Sequence, residues 1–310
     1  MKVIYIRESG RLESFLDRIM FRTKCFFNLV DRKETDGKIM YYLPIVESRN
    51  ISNFRAKRIY NRINKMLDKD ESNIAVLSKY LSSITLLKNY LYSNNIDILS
   101  GRILFKCLSY HIIEYIFKCW NIETELGEVT ILVNDFNDIN KEIIIFIAKR
   151  TKTLNIVTNH IDRFKKIEEY LYNEYGIILN LSNNRRKSLL KSRLILNLDF
   201  PEELVNKYRI YDEAVLINLL DKVNIKSKRF NGINVNSYRI KKPSKFKASG
   251  FYDEVVYESL IYKLNSFERI YERISKDKIE LSSLIGNNGV ISKFNFKKMA
   301  KTIDKTTIKE

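Results

Sequence analysis

The side chains with chemistry to offer gather where short apolar runs end. Asn134, Asp135 and Asn137 follow the run VTILV at Val129–Val133. Thr158, Asn159, His160 and Arg163 end or follow LNIVT at Leu154–Thr158. Asn197 and Asp199 end or follow LILNL at Leu194–Leu198, and Asn218 lies in AVLINL at Ala214–Leu219. As parallel strands of one sheet, these runs would place the amides, hydroxyls and carboxylates along its carboxyl edge, where open α/β sheets bind ligands. The chemistry on offer is that of a polar cleft lined by amides and carboxylates. His160 adds an imidazole that can pair with Asp162 or meet a phosphate. Turns use Asn and Asp for their own sake, so the set is a candidate cleft.

Other chemistries lack their residues. Cys25, Cys107 and Cys119 are odd in number and show no CxxC spacing, which reads as free, mostly buried thiols in a reducing compartment. No cluster has metal-ligand spacing. The second histidine, His111, lies in an apolar helical stretch and reads as a satisfied buried residue. No phosphate-binding loop of the G-x-x-x-x-G-K-[ST] type and no G-x-S-x-G elbow is present,. No acid/base pair stands out, so the reaction class stays open. The N-terminus meets charge too early for a signal peptide, and no apolar run reaches the ~18 residues of a membrane span. The cytoplasm is the expected place.

The chain has 310 residues and a formal net charge of +18, a balance that attracts polyanions. Its Ile, Asn, Lys and Tyr bias suits an AT-rich coding genome, so part of the lysine content reflects base composition. The stretch Lys222–Tyr252 contains no Asp or Glu. It carries Lys226, Lys228, Arg229, Arg239, Lys241, Lys242, Lys245 and Lys247, interleaved with Phe230, Tyr238, Phe246, Phe251 and Tyr252. Cations alternating with aromatic rings suit single-stranded nucleic acid. A second basic group, Arg185, Arg186, Lys187, Lys191 and Arg193, reads either as its neighbour or as a solvated face.

The elements that must position these residues follow from apolar spacing. Residues 1–101 read as a first α/β unit: strands at Val3–Ile6, Met40–Val46 (Pro44 suggesting an edge), Asn73–Ser78 and Ile96–Leu99, with helices at Ile51–Leu67 and Ile84–Tyr92. Arg102–Trp120 reads as one long helix, apolar around most of its girth and therefore buried; residues 102–126 make the connection. From 127 to 240, strands at Val129–Val133, Leu154–Thr158, Ile177–Leu181, Leu194–Leu198 and Ala214–Leu219 alternate with helices at Ile139–Arg150, Ile161–Tyr175, Arg185–Ser192 and Pro201–Tyr208. Gly176 is placed to cap the second of these. Continuous apolar strands mark a parallel sheet covered on both faces, and right-handed crossovers make it doubly wound. Ser227–Ile240 adds a strand or hairpin. Residues 241–285 hold the basic segment and a long helix, Tyr252–Lys276, returning to the first unit, and 286–310 read as a loose basic tail.

This order, with its α/β fold and Rossmann-like second domain, resembles the amino-acid-dehydrogenase-like group, which includes shikimate dehydrogenases, glutamyl-tRNA reductases and methylene-tetrahydrofolate dehydrogenases. The likeness is best over residues 128–219. There LNIVTNHIDRF looks like the second strand and turn that receive the adenosine ribose or its phosphate, through Thr158, Asn159 and Arg163. LILNLDF sits where the fourth strand faces the cofactor. The resemblance implies NAD or NADP and oxidoreductase chemistry. It breaks at the first turn, Asn134-Asp135-Phe136-Asn137-Asp138-Ile139-Asn140, since the chain has no glycine between Gly127 and Gly176. Glycines there allow the tight bend and the approach of backbone to a pyrophosphate. Phe136 obstructs that approach, and Asp135 and Asp138 add negative charge. The expectation is a degenerate Rossmann-like domain in a non-catalytic or regulatory protein, with no cofactor. Two alternatives stay open: an oxidoreductase holding NAD(P) in a non-standard way, and a polyanion-binding protein. Protein partners and oligomeric state are open.

Overall fold

The computed structural model describes residues 2–9, 15–27, 29–35, 38–45, 51–241, 243, 248–264 and 266–307. The chain divides into two compact units: Met1–Gly101 with Ser244–Lys263, and Arg102–Pro243 with Leu264–Glu310.

The first unit holds strands β1 (Ile4–Glu8), β2 (Asp31–Thr35), β3 (Lys38–Leu43), β4 (Ile74–Leu77) and β5 (Asp97–Ile98). Its helices are α1 (Phe15–Phe27), α2 (Asn53–Lys69), α3 (Lys79–Ser83), α4 (Thr85–Tyr92) and, from the later segment, Asp253–Ile261. The sheet order is β2-β3-β1-β4-β5, with only β2 antiparallel. Alternate residues face opposite sides. Ile4, Ile6, Tyr41 and Leu77 pack with Ile59 and Ile63 of α2 and Leu87 and Leu91 of α4. Tyr5, Ile74 and Val76 pack with Phe251, Val255 and Val256. Pro44 marks no edge, because β3 lies between β2 and β1 and Pro44 falls after its last ladder residue, Leu43. Val46, the end of the expected strand, lies outside the described residues.

The second unit opens with α5 (Arg102–Cys107) and α6 (Ser109–Trp120). They replace the single helix expected from Arg102 to Trp120: Leu108, at φ −84° and ψ 1°, turns the chain between them. There follow a 3-10 turn (Thr124–Leu126), β6 (Glu128–Leu132), α7 (Asp138–Ala148), β7 (Thr153–Val157), α8 (Ile161–Tyr175), β8 (Leu179–Ser182), β9 (Leu194–Asn197), α9 (Glu202–Val205), β10 (Val215–Asn218) and β11 (Ile233–Lys241). Gly176 ends α8 in the left-handed region at φ 66°, as a C-cap glycine does.

These six strands are all parallel and run β8-β7-β6-β9-β10-β11 across the sheet. In order of appearance that is 3-2-1-4-5-6, the strand order of the dinucleotide-binding doubly wound fold. The chain therefore has a Rossmann-like α/β fold, with six parallel strands rather than five. The sixth, β11, is the strand of the two alternatives, strand or hairpin, expected over Ser227–Ile240. The helix expected over Arg185–Ser192 is absent. Asn184 Oδ1 accepts from the amides of Arg186 (3.0 Å) and Lys187 (3.1 Å), and the chain forms turns there before entering β9.

Two further expectations give way. The long helix Tyr252–Lys276 is two helices, α10 (Asp253–Ile261) and α11 (Phe267–Lys276), and they belong to different units. The segment from Gly286, expected to be loose, carries regular elements as far as Thr307. Strand β12 (Glu280–Gly286) pairs antiparallel with β11, β13 (Gly289–Ile291) pairs with β12, and α12 (Lys293–Thr307) follows. Phe296 is fully buried and its carbonyl accepts from Trp120 Nε1 at 3.0 Å. A single buried aromatic anchors this helix, a signal too sparse to register as periodicity.

Candidate functional site

The first turn of the Rossmann-like sheet is built by its caps. Asn137 precedes α7 in extended conformation, and its Oδ1 accepts from the Asn140 amide at 2.9 Å, an ordinary N-cap bond. Asn140 is fully buried, and its Nδ2 donates back to the Asp135 carbonyl at 2.9 Å. The turn closes on itself without glycine.

The amides that a diphosphate would need are already engaged. Asp199, just beyond β9, accepts from the Asn134 amide on Oδ1 at 2.7 Å and from the Asp135 amide on Oδ2 at 2.8 Å. Asn140 Nδ2 gives Oδ2 a further bond at 3.2 Å, and Lys106 Nζ of α5 donates to Asn140 Oδ1 at 3.3 Å. Bonds from N–H to carboxylate at these lengths are the charge-assisted kind. Burial pushes the Asp199 carboxyl above its ordinary pKa, against the two amides and the Lys106 charge. Burial also pushes Lys106 below the usual lysine value, against the attraction of Asp199 and Asp135. Both shifts describe one half-buried cation–carboxylate neighbourhood.

Phe136 does not stand alone over the turn. Its ring meets Phe164 of α8 edge-on at 5.1 Å between centroids, and Lys141 Nζ lies 4.6 Å from the ring centroid. The crowding at this crossover is a packed aromatic contact between α7's turn and α8.

The remaining strand-end residues hold one another. Asn134 Oδ1 accepts from the Asn159 amide at 2.8 Å and from Thr158 Oγ1 at 3.4 Å, and Thr158 Oγ1 accepts from the His160 amide at 3.0 Å. Asn197, 2% exposed, brackets Phe200 and donates to Asn218 Oδ1 at 3.1 Å. Asn218 in turn reaches Asn234 at 2.7 Å and Asn236 at 2.9 Å, and Asn236 reaches Asn287 at 2.6 Å. An amide relay thus runs along the carboxyl edge across β9, β10 and β11. Buried side-chain amides are normally satisfied by hydrogen bonds of this kind. His160 and Arg163 are exposed, and Asp162 pairs with Lys165 at 2.7 Å rather than with His160. The structure gathers Asn134, Asp135, Asn137, Thr158, Asn159 and Asp199 at one turn, places Asn197 in the relay, and leaves His160 and Arg163 at the solvent-facing start of α8. Sequence reading missed Asn140, Lys106, Asn234 and Asn236. Only Asn140, three residues after the cap Asn137, carried a local signal.

His111 departs from expectation: it rests against Tyr271, 4.9 Å between ring centroids, yet its Nδ1 finds no hydrogen-bond partner among the described residues. Burial lowers its pKa. Cys107 is buried, while Cys25 and Cys119 are half-buried. Among the described residues no group of three potential ligands could hold a metal, and no helix is long and apolar enough to cross a membrane.

The basic stretch is not one surface. Lys226, Lys228 and Arg229 are exposed ahead of β11, whereas Arg239 and Lys241 lie at its far end. Ile233 and Lys241 stand about 26 Å apart at ~3.3 Å per residue. Lys226 Nζ also lies 3.9 Å from Glu202. Lys242, Lys245 and Lys247, with Phe246, lie outside the described residues. The interleaved rings are largely core: Tyr238 stacks on Phe105 at 4.4 Å, Phe251 is buried against Tyr5, and Phe230 packs on the core beside β10. Rings so placed are not free to stack on bases, whereas Tyr252 is exposed.

No protein-family model matches the chain, and no curated protein matches it. Among solved structures, L-tryptophan dehydrogenase from Nostoc punctiforme is similar over 100% of this chain and 90% of its own, at 8% identity and a TM-score of 0.33. A glutamate dehydrogenase is similar over 89% of this chain and 70% of its own, at 9% identity and a TM-score of 0.29. Ornithine carbamoyltransferase from Pyrococcus furiosus follows at 63% and 58%, with 14% identity and a TM-score of 0.24. Likenesses this distant carry nothing about activity, and the fold class stands on the strand order itself.

Proposed function

We propose that this chain is a non-catalytic binding or regulatory protein whose Rossmann-like domain does not take a dinucleotide at its first turn. The observation behind this reading is the Asp199 carboxylate seated on the Asn134 and Asp135 amides. Those donors, at the start of α7, are where a diphosphate is held in domains of this kind. An entering diphosphate would have to displace a half-buried carboxylate from its charge-assisted bonds. It would then face Asp135 and Asp138 as well. A carboxylate 4 Å from a phosphate charge costs about 1–4 kcal/mol between bulk water and surface dielectric, and two of them remove much of an ordinary cofactor's affinity. Calorimetric titration with NAD(H) and NADP(H) tests the reading. The expected outcome is no saturable heat; binding of either at micromolar concentration overturns it.

A further inference from the structure

The crossover from β8 to β9 carries no helix, and the sheet row beneath it is polar. On this face Leu132, Val157 and Ile195 form part of an apolar cluster with Leu189, Val205 and Tyr208. Residues two apart share a face, so the next row down is Thr130, Asn155 and Asn180, in register across β6, β7 and β8. In a parallel sheet covered on both faces that row is expected to be apolar. Here it is a ladder. Asn180 Nδ2 donates to Asn155 Oδ1 at 2.9 Å, Asn155 Nδ2 reaches Thr130 Oγ1 at 3.5 Å, and Thr130 donates to Ser192 Oγ at 2.8 Å.

The ladder floors a cavity of about 540 Å³ within the second unit, inside the ~300–1,000 Å³ that small-molecule sites occupy. Lys191 and Arg193, on either side of Ser192, line it together with Phe117 and Trp120. Neither cation forms an ion pair among the described residues. Glu128 is the one carboxylate in the lining, so the cavity keeps a positive balance. Its apolar wall depends on Gly127: a Cβ there would lie 2.2 Å from Phe117 Cε2.

We propose that this cavity binds a small phosphate monoester bearing hydroxyl groups, of sugar-phosphate to nucleoside-monophosphate size. A guanidinium takes a phosphate through two parallel N–H bonds, and an ammonium adds a point charge. Asn155 and Asn180 each keep hydrogen-bonding capacity beyond the ladder, since a side-chain amide offers two donors and two lone pairs; that capacity suits ligand hydroxyls. The site is independent of the closed first turn, because Asp199 and the Asn134 amide are not among its lining residues.

Isothermal titration of the full chain with glucose 6-phosphate, adenosine monophosphate, glucose and inorganic phosphate tests the proposal. One of the two esters is expected to bind about tenfold or more tightly than glucose or inorganic phosphate. Arg193→Ala, the milder Lys191→Ala and Asn155→Val are each expected to weaken that ester about tenfold. Far-ultraviolet circular dichroism and unfolding midpoints establish that each variant is folded. The proposal is overturned if neither ester binds, if inorganic phosphate binds as tightly as the esters, or if affinity survives all three substitutions in the cavity.

Discussion

Replacing Asp199 with alanine removes the acceptor of two backbone amides and one side-chain amide in a single step. The size of the effect follows from where each donor is left. The Asn134 amide is part-buried and loses a 2.7 Å charge-assisted bond; the Asp135 amide is exposed and rehydrates. An unpaired buried donor costs about 1–3 kcal/mol, and a rehydrated one falls at the low end of that range. Lys106, buried beside the missing carboxylate, loses its main attractive charge. The sum is a destabilisation of about 2–4 kcal/mol. Urea unfolding reads it as a lower midpoint at unchanged slope. The same substitution exposes an anion site at the start of α7. Inorganic pyrophosphate is therefore expected to stabilise Asp199→Ala by about 1 kcal/mol at roughly five times its Kd, and to leave the wild type unmoved. A variant as stable as wild type and indifferent to pyrophosphate would refute the idea that the carboxylate occupies the amides of the turn.

Three further outcomes follow from the same coordinates. Burial raises the pKa of Asp199 above its unfolded value, so its contribution is complete below about pH 4 and drains away as pH rises through the raised value; the stability of wild type relative to Asp199→Asn should fall across that window in urea titrations at a series of pH values. Gly127→Ala should destabilise by about 1–3 kcal/mol through overpacking, because the new methyl meets Phe117 at 2.2 Å while φ at −83° leaves the backbone unstrained; thermal unfolding reads this directly. Asn218→Ala should cost about 1–3 kcal/mol, since it removes one hydrogen-bond partner each from buried Asn197 and Asn236, and hydrogen exchange should quicken along β9, β10 and β11.

The strands of the second unit were legible because burial on both faces leaves continuous apolar runs: Ala214–Leu219 contains a strand of the sheet, and Val129–Val133 and Leu154–Thr158 overlap theirs with a shift of one residue. Gly176 announced the end of α8. Elements failed to read where side chains rather than periodicity decide. Leu108 bends the α5–α6 passage without Pro or Gly. Asn184 diverts the Arg185–Ser192 segment into turns by capping two amides. The candidate site divides in the same way. That the turn carries no glycine could be read from Asn134–Asn140 alone. What occupies its amides could not, because Asp199 stands 65 positions from Asn134 and only strand order brings β9 beside β6. Residues such as Asn197 and Asn218 looked like ligand groups because a buried amide relay and a polar cleft draw on the same side chains.

The most direct test follows the backbone amide resonances of Asn134 and Asp135 in the folded protein while NADH or NADPH is added. Both signals should stay where they are at every dinucleotide concentration, held downfield by the Asp199 carboxylate and moving only as that carboxylate takes up a proton. Saturable displacement of the two signals by either dinucleotide would contradict the account.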